Sequence, residues 1–515
     1  MNDELDRVAV RRELYDRFGP PQIAMSADGR NIHFSAPLES GLQVGGTALV
    51  PTDDATTSLV VQIRDARMAE RDGPQFDLVT PADTIEVSTA SYKPVIRSIA
   101  GTGVVLGELD ADGFTAKDHA QPFGERFVRP ATPDEIETVV AGLDGSGPTI
   151  EIGTLSQAPH VTARLRSKGF ARHTFMCGQS GSGKTYTTGA LFERLLAGTT
   201  LPIVVLDPNS DHVHLDELND PNDTSDTAQR FRAAAATVRV ARARGPASNY
   251  TLCADFSDLP IEWQALLLRL HPVSDADEFN ALARTTATLT APYSARDVME
   301  AARTAAERDP LALQILRRIT NLGIAEWDVW RRDGETSITT MNLRNERCVV
   351  FDIGSLTRPD ERATVALALL GSRWAGRAAR EPVLIAIDEA HNILPAATDD
   401  SLLQAITDLG IVIAGEGRKF GLHLFVATQR PSKVHPNVVS QCDNLVLMRM
   451  NGTRDIDDLV TMFSHVPEPM IRQAITFGLG QALFAGPIAP VPLLAQVGSR
   501  LSAEGGGDLP TSWAI

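Results

Sequence analysis

Gly178-Gln179-Ser180-Gly181-Ser182-Gly183-Lys184-Thr185, in a chain of 515 residues, has the spacing of a complete phosphate-binding loop. The run before it, His173-Thr-Phe-Met-Cys177, is short, apolar and strand-like, and Tyr186 to Leu196 after it carries apolar residues at helical spacing. A glycine-rich turn between strand and helix lets successive backbone N–H groups point at a β-phosphate, and the helix N-terminus adds its positive end. Lys184 would neutralise the β- and γ-oxygens, the Thr185 hydroxyl would take one Mg²⁺ position, and Tyr186 joins the nucleotide contacts. The expectation is a nucleoside triphosphate site on an α/β fold.

A second element supports it. Val383-Leu-Ile-Ala-Ile387 feeds Asp388-Glu389, so five apolar residues deliver two carboxylates to the carboxyl end of a buried strand. Asp388 there would hold Mg²⁺ through water, and Glu389 would orient or deprotonate the attacking water. Binding alone needs no Glu389, so the pair favours hydrolysis. Gln429 follows the strand-like run Leu422–Val426 and emerges at the same sheet edge. It reads either as a γ-phosphate contact or as a loop-capping amide. Arg418 and Lys419 stand in a glycine-bounded turn, Gly415 to Gly421, and read as solvated cations unless a second subunit's γ-phosphate lies opposite Arg418.

The rest of the chain sets the frame. Its length suggests two or three domains, and 43% hydrophobic with 22% charged residues is the balance of a globular protein. No apolar run reaches the ~18 residues that span a bilayer, and the charged start is no signal peptide. Cys177, Cys253, Cys348 and Cys442 are widely spaced and read as reduced thiols, so the expected location is the cytoplasm. The net charge of −17 excludes a protein coated for nucleic acid, but not one that holds DNA at a narrow basic place. His212-Val-His214 lacks a third ligand at metal-site spacing and reads as loop.

Residues 1–19 suggest a helix. Short alternating runs at Asn31–Ser35, Gly46–Val50, Ser58–Ile63, Thr84–Ser88, Val95–Ile99 and Val104–Leu106 suggest a small β-barrel or sandwich. Ala131–Gly147 reads as a helix with a Gly-Ser-Gly end. From Thr149 the pattern is that of a parallel α/β sheet, with strands at Ile203–Leu206, Cys348–Asp352, Val383–Ile387, Leu422–Ala427 and Asn444–Met448. The expected division is 1–130 N-terminal helix and barrel, 131–216 linker and first core part, 217–333 helical insertion, 334–485 second core part, and 486–515 a tail on the core or a neighbour.

The order of the loop, Ile387-Asp-Glu-Ala-His391, Glu416-Gly-Arg-Lys419 and Thr428-Gln-Arg-Pro-Ser432 resembles the HerA branch of the HerA/FtsK ATPases. Arg172-His173 and the Gly505-Gly-Gly-Asp-Leu-Pro510 ending extend the likeness, which covers about 165–215 and 345–515. The resemblance implies a RecA-like P-loop ATPase core with a helical insertion, preceded by a small HAS-type β-barrel. It implies ATP and Mg²⁺ as cofactors, with Lys184 on phosphate, Thr185 and Asp388 on the metal, and Glu389 as base. Gln429 then takes the sensor position and Arg418 the trans-acting finger, with Arg172 a second arginine near a subunit boundary. The family's homo-hexameric rings pump double-stranded DNA through a central pore, for a NurA-like nuclease in DNA repair or beside an antiphage defence effector. Helicase-type translocation is the leading expectation. An oligomeric ATPase scaffold controlling an effector is the alternative, and a conjugation or secretion motor a more distant one. Lys433 with His435, and Arg449 with Arg454, are pore candidates with equal claim to solvated surface. One departure stands out: the family reads Asp-Pro-His-Gly-Glu-Tyr where this chain has Asp207-Pro-Asn-Ser-Asp211-His212, so roles for Asp207 and Asp211 are left open.

Overall fold

The computed structural model describes residues 19–54, 56–72, 95–145, 147–245, 250–341 and 346–505, with the backbone alone at 76–77 and 91–92. The expected helix at 1–19, the run Thr84–Ser88 and the end of the chain from 506 lie outside the described residues.

The N-terminal part is an antiparallel eight-stranded sheet. Two long strands, Ser58–Asp72 and Val95–Asp110, form its spine, flanked by Asn31–Ala36 and Thr47–Pro51. Glycines split the second of these into two runs in the sequence, yet here they permit close approach. A Cβ at Gly101 would lie 1.9 Å from the Asp65 carbonyl oxygen, beside a register shift in the partner strand. The sheet curls: Phe123–Phe127 pairs with Ile23–Ser26 at one edge, and Arg129–Pro130 pairs with Thr47–Pro51 at the other. It is a half-barrel whose edges are bridged by one segment, short of the fully paired barrel expected. Pro133–Asp144 follows as a helix, started by a capping box between Thr132 and Glu135.

The core is a twelve-stranded sheet. Thr174–Cys177 lies parallel between Leu422–Thr428 and Asn444–Leu447, followed outward by Val383–Ile387, Ile203–Asp207 and Cys348–Asp352. Residues alternate between two cores. Phe175, Leu206, Phe351 and Ile387 face one, while Met176, Val205, Val350 and Ala386 face the other. The Lys184–Gly198 helix covers the second face, and Pro359–Ala375 with Ser401–Glu416 cover the first.

Three features correct the sequence reading. The sheet is mixed, because the hairpin Thr149–Leu155/Ala158–Arg166 and the strands Gln481–Ala485 and Leu493–Val497 join it antiparallel. Leu493–Val497 therefore belongs to the core, not to a tail. Within 217–333, Val238–Arg242 pairs in parallel with Cys348–Asp352, so it too is a core strand. The longer helices beyond it are Ala276–Thr286, Ala295–Ala305 and Pro310–Leu322. No helix among the described residues is long and apolar enough to cross a membrane.

Candidate nucleotide site

The loop forms because its strand ends inside the sheet and its helix starts at once. Gly181 and Gly183 take φ of 71° and 92°, which side chains resist. Gly178 is needed for space, since a Cβ there would meet Ser182 Oγ at 2.7 Å and Met448 Cβ at 2.8 Å. The loop is braced from outside. The Gln179 N–H donates to the Arg449 carbonyl at 2.9 Å, Arg449 Nη2 to the Gly181 carbonyl at 2.9 Å, and the Gly480 N–H to the Ser182 carbonyl at 3.1 Å. In the first helical turn, the N–H groups of Lys184, Thr185 and Tyr186 have no intrahelical acceptor and face the ligand position.

Lys184, Asp388 and Glu389 come together as one buried cluster. Lys184 Nζ donates to Asp388 Oδ1 at 2.5 Å and lies 3.1 Å from Glu389 Oε1. Burial alone would lower the Lys184 pKa, but the two carboxylate charges hold it above the ordinary value. Burial would likewise raise Asp388, and the Lys184 charge holds it well below the carboxylate range. Glu389 reaches this position because its backbone is left-handed, with φ 42°, a strained turn for a non-glycine residue. Gln429 Nε2 donates to Glu389 Oε1 at 2.9 Å, so the two residues predicted to share an edge are in contact. His391 was quoted in the sequence motif without a role. Its Nδ1 lies 3.3 Å from Glu389 Oε2 and 3.1 Å from Thr428 Oγ1, and burial pushes its pKa down.

The segment after Ile203–Asp207 contributes more than the sequence indicated. Asp207 is buried and accepts N–H bonds from Asn209, Asp211 and His212, and burial raises its pKa. Asp211 Oδ2 accepts from Thr185 Oγ1 at 3.4 Å, and burial, then the nearby Asp388 and Asp207 charges, raise its pKa. His212, read as a loop residue, is fully buried with Nε2 3.6 Å from Asp388 Oδ2.

Beside Lys184 opens a cleft of about 660 Å³, whose lining includes neither Asp388 nor Glu389; its volume is within the ~300–1,000 Å³ usual for small-ligand sites. Gln179, Ser180, Gly181, Gly183, Lys184, Thr185, Tyr186 and Gln429 line it. Asn209, Asp211, Leu479, Gln496 and Glu504 are among its other lining residues; pairing of Gln481–Ala485 with Leu493–Val497 brings in Gln496, which nothing local in the sequence marked.

Arg172 and Arg418 are elsewhere. Both donate to Asp443 Oδ2, at 3.1 and 3.2 Å, and about half of each side chain remains exposed. Each precedes a parallel strand whose far end carries the site. The six residues from Arg172 to Gly178 span roughly 20 Å, so neither arginine touches its own chain's loop. Of the pore candidates, Arg449 is tied to the loop, Lys433 and Arg454 are exposed, and His435 caps Pro436–Val439.

Fold and site together define a P-loop nucleotide-binding protein of the α/β class. Residues 150–371 match the family model of the HerA helicase central domain. Over 129 residues the chain is 30% identical to the probable DNA double-strand break repair helicase HerA of Methanocaldococcus jannaschii, covering 25% of each. Over 116 residues it is 28% identical to the DNA double-strand break repair helicase HerA of Pyrococcus furiosus, covering 22% of this chain and 20% of that one. These matches thus span a quarter or less of the relatives' length. Among solved structures, VirB4 of Thermoanaerobacter pseudethanolicus is similar at 16% identity and a TM-score of 0.47, over 69% of this chain and 97% of that one. The likeness to HerA-type helicases therefore falls on residues 150–371, which hold the phosphate-binding loop.

Proposed function

We propose that this chain hydrolyses ATP at boundaries between identical copies arranged in a ring, and uses the cycle to move duplex DNA through it. The observation that carries this reading is the placement of Arg172 and Arg418 at the sheet edge opposite the loop. Two half-exposed guanidinium groups share the Asp443 carboxylate and lie away from their own chain's loop. In a head-to-tail ring such an edge meets the next copy's nucleotide cleft. An arginine delivered there is worth roughly 10³–10⁵ in rate.

The residues divide the work as follows. When the triphosphate enters, Lys184 leaves Asp388 and Glu389 for the β- and γ-oxygens, and the loop N–H groups hold the β-phosphate. The Thr185 hydroxyl and Asp388 fit a divalent cation, because the buried Asp388 carboxylate loses its lysine partner on Oδ1 once Lys184 turns to the phosphates. Mg²⁺, when bound there, supplies neutralisation of phosphate charge. Glu389 takes the proton of the attacking water, with Gln429 orienting it. Gln429 leads into Lys433 and His435, whose backbone bonds to Ala396 and Leu394 tie that loop to the segment after Glu389. Loss of the γ-phosphate would shift both loops together. Contacts to DNA would be phosphate-directed, independent of sequence and weakened by salt. The double-strand break repair role named for the relatives suggests a nuclease partner, and a defence effector would use the same motor.

Adding duplex DNA to the purified protein at low salt tests this. ATPase activity that rises with DNA and loses that response at high salt supports translocation. Turnover indifferent to DNA sinks it and favours the ATPase scaffold.

A further inference from the structure

His212 is buried in the site, and the catalytic scheme above gives it no task. Its backbone N–H donates to Asp207 Oδ2 at 2.8 Å, and its ring packs against Phe192 with centroids 5.5 Å apart. Neither ring nitrogen has a hydrogen-bond partner among the described residues, and neither does Asp388 Oδ2. The two groups face each other across 3.6 Å, His212 Nε2 to Asp388 Oδ2. That gap is just too long for a hydrogen bond, and leaving buried polar groups unpaired on both sides is costly. Asp388 is kept from closing it by its other oxygen, Oδ1, which accepts from Lys184 Nζ at 2.5 Å and from the Glu389 N–H at 2.9 Å. His212 is fixed on its own side by Phe192 and Asp207; without the Lys184 contact the Asp388 carboxylate is held at Oδ1 by the Glu389 N–H alone and can turn about that bond.

We propose that His212 is the positioning residue of Asp388 in the nucleotide-loaded site. Once Lys184 turns to the triphosphate, Asp388 moves about half an ångström and accepts a hydrogen bond from His212 Nε2–H. His212 then holds Oδ2, and Oδ1, still accepting the Glu389 N–H, is presented to the divalent cation beside Thr185. A ligating carboxylate held in this way binds its metal more tightly than one that swings freely. The lysine and the histidine alternate as partners of the same carboxylate: Lys184 in the empty site, His212 in the loaded one. The inference rests on the nucleotide reading of the cleft, not on DNA or on ring formation.

The test uses the full chain as wild type, His212→Phe and His212→Gln. Phenylalanine keeps a ring against Phe192 and removes the donor, whereas glutamine returns an N–H near the Nε2 position. Mg²⁺ is titrated into each protein holding a fluorescent, non-hydrolysable ATP analogue. The half-saturating Mg²⁺ is expected to rise about tenfold in His212→Phe and to return to within about threefold of wild type in His212→Gln. Analogue affinity in EDTA stays the same in all three proteins. Equal Mg²⁺ demand in wild type and His212→Phe overturns the proposal, and so does an equal rise in both variants, which marks a packing role. If His212→Phe does not fold, His212→Gln decides alone: a demand near wild type supports the proposal and a rise above about tenfold overturns it. A wild-type protein that binds no analogue would instead sink the nucleotide reading itself.

Discussion

Removing the lysine of the buried cluster, Lys184→Ala, exposes its energetics most clearly. Lys184, Asp388 and Glu389 have side-chain exposures of 3%, 1% and 5%, so solvent screens none of them. With the lysine gone, two carboxylates face each other in a dry site. Breaking a buried pair by removing one partner costs about 3–5 kcal/mol, which lowers the core's Tm by roughly 10 °C. The pH dependence gives the sign. In wild type the folded pKa of Asp388 is depressed, so its stabilisation is present above the unfolded value of about 3.9 and lost as pH falls through the folded one. Without Lys184 the largest charge holding Asp388 down is gone and burial is opposed mainly by His212, so the Asp388 pKa rises and the variant loses less stability than wild type as pH falls. The gap between wild type and variant is therefore widest near pH 8 and narrows towards pH 5. Urea unfolding of both proteins at the two pH values, in low and high salt, measures it, and salt should matter little for so buried a cluster. Coincident curves at pH 8, or a gap that widens at pH 5, would refute the reasoning.

Other substitutions probe separate parts. Glu389→Gln preserves shape and contact with Gln429 while removing the proton acceptor, so kcat should fall by about 10²–10⁴ with ATP binding retained; steady-state rates near wild type would remove Glu389 as base. Glu193 on the loop helix is fully buried and accepts from Arg500 Nε, Ser502 Oγ and the Leu501 and Ser502 N–H groups. Glu193→Ala strands the Arg500 charge, and a loss of about 3–5 kcal/mol in urea unfolding, with earlier proteolysis near 499–505, is the expected result. All four cysteines are buried, and burial pushes the Cys253 and Cys348 thiols up to about 12. Ellman's reagent at pH 8 should report thiols only after unfolding, and rapid labelling of native protein would contradict the packing.

The loop, Asp388, Glu389 and Gln429 were legible because each sits within a few residues of an apolar strand, and local pattern carries that information. The partnerships that finish the site were not. Val238-Arg-Val-Ala-Arg242 looks unremarkable until it pairs with Cys348–Asp352, more than a hundred residues on. Gln496 reaches the cleft through antiparallel strands at the sheet's far side. Gly101 and Gly103 read as strand breaks because the sequence does not show the Asp65 and Gln62 carbonyls pressing on them. His212 was set aside for want of a third metal ligand, whereas its role depends on burial beside Asp388, which no spacing expresses. Asp443 drew no notice, yet it gathers Arg172 and Arg418, which lie far apart in the chain.

In the proposed ring, one copy's loop works with the next copy's arginine. Mixing Arg418→Ala subunits with Glu389→Gln subunits tests it most directly, because each protein is inactive alone but carries the half the other lacks. Random assembly makes roughly a quarter of the boundaries from an intact loop and an intact arginine, so ATPase activity should reappear on mixing. If verified mixed assemblies stay as inactive as their parents, Arg418 does not act across a boundary and the shared site is wrong.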